Sequence, residues 1–205
     1  ASQATPAELG RRLHSWVTRA APCCLGCLFL LPTPAATQNN DFLSQVIPVR
    51  RVEAVIHVDG RLDEPVWQQI EPITRFIQTQ PDEGKPATER TEVRIFYTSS
   101  KLYFGFTCFD SEPEKIVARL DSHDARTNSD SVDILLDPFG DRRTGYFFSI
   151  NARGVQFDAL ATESAGASGF GIYDPTWDGI WESAAYIEDW GYAVEVAIPF
   201  KSIRF

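Results

Sequence analysis

The chain has 205 residues, 43% of them hydrophobic and 12% aromatic, which allows one domain of ordinary size with a proper core plus appendages. A formal net charge of −9 argues against a nucleic-acid partner, because surfaces that hold phosphate backbones are basic. Thirteen glycines and thirteen prolines imply many turns.

The N-terminal stretch does not read as part of a fold. Arg11, Arg12 and Arg19 precede a short apolar run from Ala20 to Leu31, then small residues over Thr33–Ala36 and a polar exit over Thr37–Asn40. Basic region, apolar run and small-residue exit together predict a secretory signal peptide, with residues 1–36 as leader and 37–46 as linker. The run is too short to span a membrane, which takes roughly 20 apolar residues. Cys23, Cys24 and Cys27 would leave with the leader, so Cys108 alone remains and no internal disulfide is expected. The first residue is Ala and Phe205 has no tail behind it, so both ends are expected to be cuts in a longer chain.

Val52–Val58 is a β-rich run that ends at the turn Asp59-Gly60. Asp63 is placed to cap a short helix near 63–70, with Pro65 in its first turn and Trp67 and Ile70 on its buried side. A hairpin follows. Thr91–Thr98 puts Val93, Ile95 and Tyr97 on one face, and Leu102–Phe109 returns with Leu102, Phe104, Phe106 and Cys108 aligned. That alignment predicts an inert core thiol. A short element is expected from Ile116 to Leu120.

Asn128–Asp141 is the organising stretch. Val132, Ile134 and Leu136 alternate onto one face, while Ser131, Asp133, Leu135 and Asp137 take the other. Tyr146–Asn151 and Val155–Ala161 predict a second hairpin, and Glu163–Asp174 reads as a mobile Gly/Ser/Ala loop. Strands are expected over Trp181–Ile187 and Tyr192–Ile198. Short strands at hairpin spacing, with almost no helical periodicity, predict an all-β, antiparallel β-sandwich of jelly-roll type over 47–205.

Catalysis finds little support in the residue pattern. A glycoside hydrolase needs two carboxyl groups about 5–9.5 Å apart, whereas Asp133 and Asp137, four residues apart on one strand, stand about 13 Å apart at 3.3 Å per residue. Asp158 on a neighbouring strand is the other candidate partner for such a pair. No Ser sits in a strained elbow. Without Met, haem ligation is limited to His–His or His–Lys. Calcium suits Asp121, Asp124, Asn128 and Asp130, four oxygen donors in one loop, although they lack the spacing and central Gly of an EF-hand. Sugar binding calls for aromatic platforms beside polar groups. The segment Asp174–Glu182 offers Trp177 as a platform with Asp178 beside it, and Trp181 as a core residue.

Four ordered segments carry a resemblance: Val58–Trp67, Lys101–Phe104, Asn128–Asp137 and Gly191–Pro199. Together they resemble family 9 carbohydrate-binding modules, over roughly residues 47–205. The form is similar to the module that precedes an uncharacterised outer-membrane domain in exported bacterial proteins. The resemblance implies a β-sandwich, structural calcium, and sugar chain ends held between two tryptophans. It also implies departures. Thr127 stands where the first of those tryptophans is expected, Asp133 where an acidic sugar contact is expected, and Ser149 where an arginine is expected; the second tryptophan would lie beyond Phe205.

The resulting expectation is a non-catalytic module that binds a polysaccharide or oligosaccharide. It belongs to an exported protein (periplasm, outer membrane or extracellular) active in carbohydrate catabolism, with Asp133, Trp177, Asp178 and Asn151 as candidate ligand contacts. A C-terminal partner domain, in one form a membrane barrel, is expected after residue 205. Two rivals are a docking domain that binds no sugar and part of a glycoside hydrolase.

Overall fold

The computed structural model describes residues 46–120, 122, 128–141, 143–163 and 170–203. The predicted leader, the predicted linker up to residue 45, Thr127, and the candidate calcium ligands Asp121 and Asp124 lie outside them.

Nine strands among the described residues build two sheets. The first has the order β1-β2-β3-β9-β8, and the second β4-β5-β6-β7. Their bounds are β1 Arg50–Arg51, β2 Thr91–Tyr97, β3 Lys101–Phe109, β4 Ser131–Leu136, β5 Thr144–Asn151, β6 Gln156–Glu163, β7 Phe170–Asp174, β8 Glu182–Glu188 and β9 Gly191–Pro199. Every pairing is antiparallel except the short parallel contact of β1 with β2.

Alternation along the strands decides what each face buries. Phe104, Phe106, Val194, Val196 and Ile198 of the first sheet meet Val132, Ile134, Phe148 and Ile150 of the second in one core. The organising strand β4 therefore lies as its sequence predicts, with its odd-numbered residues Ser131, Asp133 and Leu135 exposed. Cys108 is buried in the same core.

A second apolar layer covers the outer face of the first sheet. Val66 and Trp67 of the helix α1 (Pro65–Gln69) pack there with Phe96, Tyr103 and Ala197. Phe96 stacks on Tyr103 at 4.9 Å and meets the edge of Trp67 at 4.8 Å. The run 52–58 alternates for a different reason than pairing. Val52 N–H still donates to Tyr97 O at 2.8 Å, after which the chain leaves the sheet edge. Val52, Ala54, Ile56 and Val58 then turn their side chains down onto this layer.

This strap is fastened at Glu195, on the central strand β9. The carboxylate is fully buried; Oε2 accepts from Asp59 N–H at 3.0 Å and Gly60 N–H at 3.2 Å, and Oε1 from the Trp67 indole N–H at 3.0 Å. Two glycines permit the approach. Gly60 has φ +87° and lies against the Ala185 backbone, where an added Cβ would fall at 2.8 Å. A Cβ on Gly105 would meet Trp67 Cζ3 and Leu62 Cδ2 at 2.8 Å.

Three local expectations are corrected. The helix is capped by Glu64 rather than Asp63, without a side-chain cap bond, and the Glu64 carboxylate instead accepts from His57 N–H at 2.9 Å. The end of the span expected as a loop, Phe170–Asp174, is strand β7, because it can pair with the free edge of β6. Ile116–Leu120 forms no regular element; the nearby regular piece is a 3-10 turn at Pro113–Lys115, after which the chain runs extended. Among the described residues no helix is long and apolar enough to cross a membrane.

Burial pushes the Glu195 carboxyl from 4.5 up to about 7, and the charge of Glu64 adds to the rise, against the pull of its three N–H donors. A raised carboxyl favours the folded state most when protonated. Its contribution is therefore full below about pH 4.5 and is lost as pH climbs through about 7. Urea unfolding across that window is expected to show stability falling with pH, and Glu195→Gln is expected to flatten the slope. An unchanged slope in the variant would assign the dependence to other groups.

Candidate functional site

The two sheets do not close on each other along the open edge of β4. There a hollow of about 310 Å³ opens between β4 and the β2–β3 hairpin. Its floor is apolar, with Val93 and Phe106 from the first sheet and Val132 from the second. Phe76 and Phe109 also line it, together with the acidic residues Glu89, Asp110, Asp130 and Asp133 and with Tyr192. Apolar walls beside spaced oxygen acceptors are what a sugar ring needs, since its faces carry C–H groups and its rim carries hydroxyls.

Each wall has a local cause. Phe109 ends β3, where Trp190 of the β8–β9 turn packs at 5.4 Å and the Arg90 guanidinium lies 4.6 Å above the ring. Asp130 stands just before β4; its backbone N–H donates to Val117 O at 2.8 Å, and its Oδ2 accepts from Val117 N–H at 2.8 Å. Deep in the hollow the Tyr192 hydroxyl bonds the Cys108 thiol. Burial pushes the thiol up to about 11 and raises the tyrosine hydroxyl above its ordinary value. Such a thiol is a poor nucleophile.

A second hollow, of about 450 Å³, opens at another edge of the sandwich between Leu102, Leu136, Pro138, Phe200 and Ile203. Asp137 is its one charged lining residue among those described, so it offers little to a ring of hydroxyls.

The sequence candidates scatter. Asp130 and Asp133 are brought together at the first hollow. Asp133 also faces Ser149 directly across the β4–β5 pair, so the two positions that the family resemblance links are cross-strand neighbours. Asn151 is buried and serves its own turn: its Nδ2 donates to Arg119 O at 2.8 Å, while Oδ1 accepts from Arg153 and Val155 N–H, both at 2.9 Å. Trp177 is half-buried against Tyr146 at 5.0 Å and Phe148 at 5.8 Å, with Gly179 beneath it, so its ring packs on the core. Asp178 is exposed beside it. Asn128 is exposed near Asp130.

Carboxylate pairing for hydrolysis is also decided. Asp158 stands opposite Phe148 on the inner face, whereas Asp133 stands opposite Ser149 on the outer face of the same sheet. Asp158 is buried, and its Oδ2 accepts from the Trp181 indole N–H at 2.7 Å. Asp137 ends β4 in a turn, where Oδ1 accepts from Gly140 N–H at 2.8 Å. These three carboxylates do not share a cleft.

The residues that sequence reasoning missed are Phe76, Glu89, Phe109, Asp110 and Tyr192. They come from four separate stretches that only the tertiary fold unites.

The two-sheet antiparallel sandwich with a helix-bearing strap over one face defines the class: an all-β sandwich module. Residues 58–205 match the family described as carbohydrate family 9 binding domain-like, and the chain belongs to that family. Three solved structures share its outline. A putative carbohydrate-binding protein from Bacteroides uniformis is 14% identical, with a TM-score of 0.54 over 75% of this chain and 72% of that one. A family 9 module from Caldicellulosiruptor kristjanssonii in complex with glucose is 16% identical, with a TM-score of 0.50 over 77% and 71%. A family 9 module from the same organism in complex with cellotriose is 19% identical, with a TM-score of 0.47; this chain covers 65% of it, slightly under two thirds, and 74% of this chain is matched. At these identities the likeness to the two structures with TM-scores of 0.50 and 0.54 bears on the fold alone. No curated protein matches the chain.

The buried, protonated thiol yields a direct test. In the native protein the peptide carrying Cys108 is expected to stay unmodified by iodoacetamide at pH 8 and to alkylate fully in urea, read by mass spectrometry. Rapid native modification would place the thiol in solvent.

Proposed function

We propose that the chain is the non-catalytic carbohydrate-binding module of an exported protein, holding a polysaccharide or oligosaccharide for a partner domain that works in carbohydrate catabolism. One observation carries the reading: in a chain of the family 9 carbohydrate-binding kind, the sandwich opens into a hollow with aromatic walls and carboxylate acceptors. Glucose and cellotriose, the ligands of two similar solved structures, are the class of compound in view. Export to the periplasm, outer membrane or medium rests on the basic, apolar and small-residue pattern of the first 36 residues. The partner domain after residue 205, in one form a membrane barrel, rests on the family resemblance.

The constellation differs from a pair of sandwiching tryptophans. Trp177 packs on the core and does not line the hollow; the aromatic residues that do are Phe76, Phe106, Phe109 and Tyr192. The acceptors are Asp133 and Asp130, joined by Glu89 and Asp110.

Calcium is proposed as a structural ion of the 121–130 loop. Asn128 and Asp130 supply the hard oxygen donors it prefers, and Asp121 and Asp124 would complete the set. Of these, Asp130 already ties the loop to Val117, so an ion there would tighten a contact that exists.

Two measurements bear on this reading. The full chain is expected to bind at least one class on a glycan array of neutral, acidic and amino glycans, and silence across the array would overturn carbohydrate binding. EDTA is expected to lower the thermal midpoint and added CaCl2 to restore it. An unchanged midpoint would remove calcium from the account.

A further inference from the structure

The fastening of the strap at Glu195 leaves one oxygen over. Glu64, the residue before α1, has its carboxylate tied at one end only, where Oε1 accepts from His57 N–H at 2.9 Å. Among the described residues its Oε2 has no hydrogen-bond partner, although it is closed off from solvent. A buried oxygen of this kind is costly unless something donates to it. Glu195 lies close enough for the Glu64 charge to act on it. Trp67 links the two, giving its backbone N–H to Glu64 O and its indole N–H to Glu195 Oε1, both at 3.0 Å.

No cation fills the place. Among the described residues neither carboxylate enters an ion pair, and no three side chains gather to hold a metal ion. The other charged groups of the surrounding elements are committed. Asp59 Oδ1 accepts from Arg61 N–H at 2.9 Å, Lys101 on β3 pairs with Glu182 on β8 at 2.6 Å, and Arg94 on β2 pairs with Glu92 at 2.9 Å. Burial raises the Tyr103 hydroxyl on β3 above its ordinary value, so it keeps its proton across neutral pH. His57 gives Glu64 its backbone N–H and is itself an exposed residue. A proton is the donor that remains. An ionised carboxylate offers about four acceptor sites, and protonation turns one of them into an O–H donor. Asp59 and Gly60 fill two sites on Glu195 Oε2, whereas Oε1 serves Trp67 alone and has room for the proton.

We infer that Glu195 and Glu64 share one proton, carried on Glu195 Oε1 and donated to Glu64 Oε2, and that this proton is a pH-sensitive latch on the strap. With the proton in place the left-over oxygen has its donor and the pair carries one charge. Without it two like charges adjoin beneath the strap, and their repulsion acts to lift residues 57–67 from the sheet. The Glu195 carboxyl is pushed up to about 7, by burial first and by the Glu64 charge as well. A carboxyl raised in the folded state stabilises it fully below its ordinary value and loses that contribution as pH climbs through the raised one. The strap is therefore latched in mild acid and loosens above about pH 7.

Hydrogen exchange of the full chain, read by mass spectrometry on peptides covering residues 57–62, tests this. After correction for the intrinsic effect of pH on exchange, protection at Asp59 and Gly60 is expected to fall about tenfold between about pH 5.5 and about pH 8.5. Glu64→Gln keeps an oxygen for His57 and sets an amide N–H where the proton sits, so the fall is expected to shrink to about twofold or less. A second readout needs no variant. The infrared carbonyl band of a protonated carboxyl is expected to persist in the native protein up to about pH 7, well beyond the ordinary Asp and Glu range near about 4. Native protection that does not change with pH overturns the latch. An undiminished fall in Glu64→Gln also overturns it, because the dependence would then belong to His57 or to Glu195 alone. Loss of every protonated-carboxyl band by about pH 5 overturns the shared proton, whether or not the variant folds.

Discussion

A carboxylate buried on a central strand has to find donors, and at Glu195 that requirement organises half of the molecule. Leaving such a group without partners costs several kcal/mol in a site from which water is excluded, on the order of what a domain has in total. The donors are supplied by a distant stretch: the N–H groups of Asp59 and Gly60 and the indole of Trp67. Meeting them brings the strap across the outer face of the first sheet, where its alternating apolar residues cover Phe96 and Tyr103. Gly105 on β3 leaves room for the Trp67 ring, and Gly60 lets the turn touch β8.

A related device works inside the sandwich. Asp158 is buried against the indole of Trp181, whose ring also meets the edge of Phe148. In both cases an aromatic residue contributes area to a core and one N–H to a buried carboxylate. Two carboxylates that a chain-wise reading could offer to catalysis or ligand are thereby spent on structure, at Asp158 and Glu195. The acidic residues Glu89, Asp110, Asp130 and Asp133 line the hollow at the edge of β4.

The family 9 architecture thus persists in a chain whose expected sugar contacts have changed. Ser149 stands beside Asp133 where an arginine is expected, and Trp177, the loop tryptophan nearest to a platform, packs against Tyr146 and Phe148. Retaining the sandwich asks only for alternation, turns and the Glu195 fastening. Retaining a particular glycan asks for individual side chains, which can drift while the scaffold stays.

Most strands were legible from the chain alone because their signal is local. The alternation of Val132, Ile134 and Leu136, or of Phe104, Phe106 and Cys108, is set by the two-residue repeat of a strand and survives whatever packs on it. The Val52–Val58 run shows the limit of that signal: alternation reports a buried face and not a pairing partner, so a strap over a sheet reads like a strand within one. Strand β7 was hidden because its pairing depends on the free edge of β6 more than on its own composition. Asn151 and Trp177 had the right chemistry for ligand contacts, but their side chains are committed to a turn and to a core, which residue type cannot reveal. The all-β class, the core faces and the inert Cys108 were thus determined by the sequence itself. Only the tertiary structure decided which carboxylates are structural and which surround a hollow, because Phe76, Glu89, Asp110 and Asp130 become neighbours when two sheets stack, an event that leaves no periodic trace in the chain.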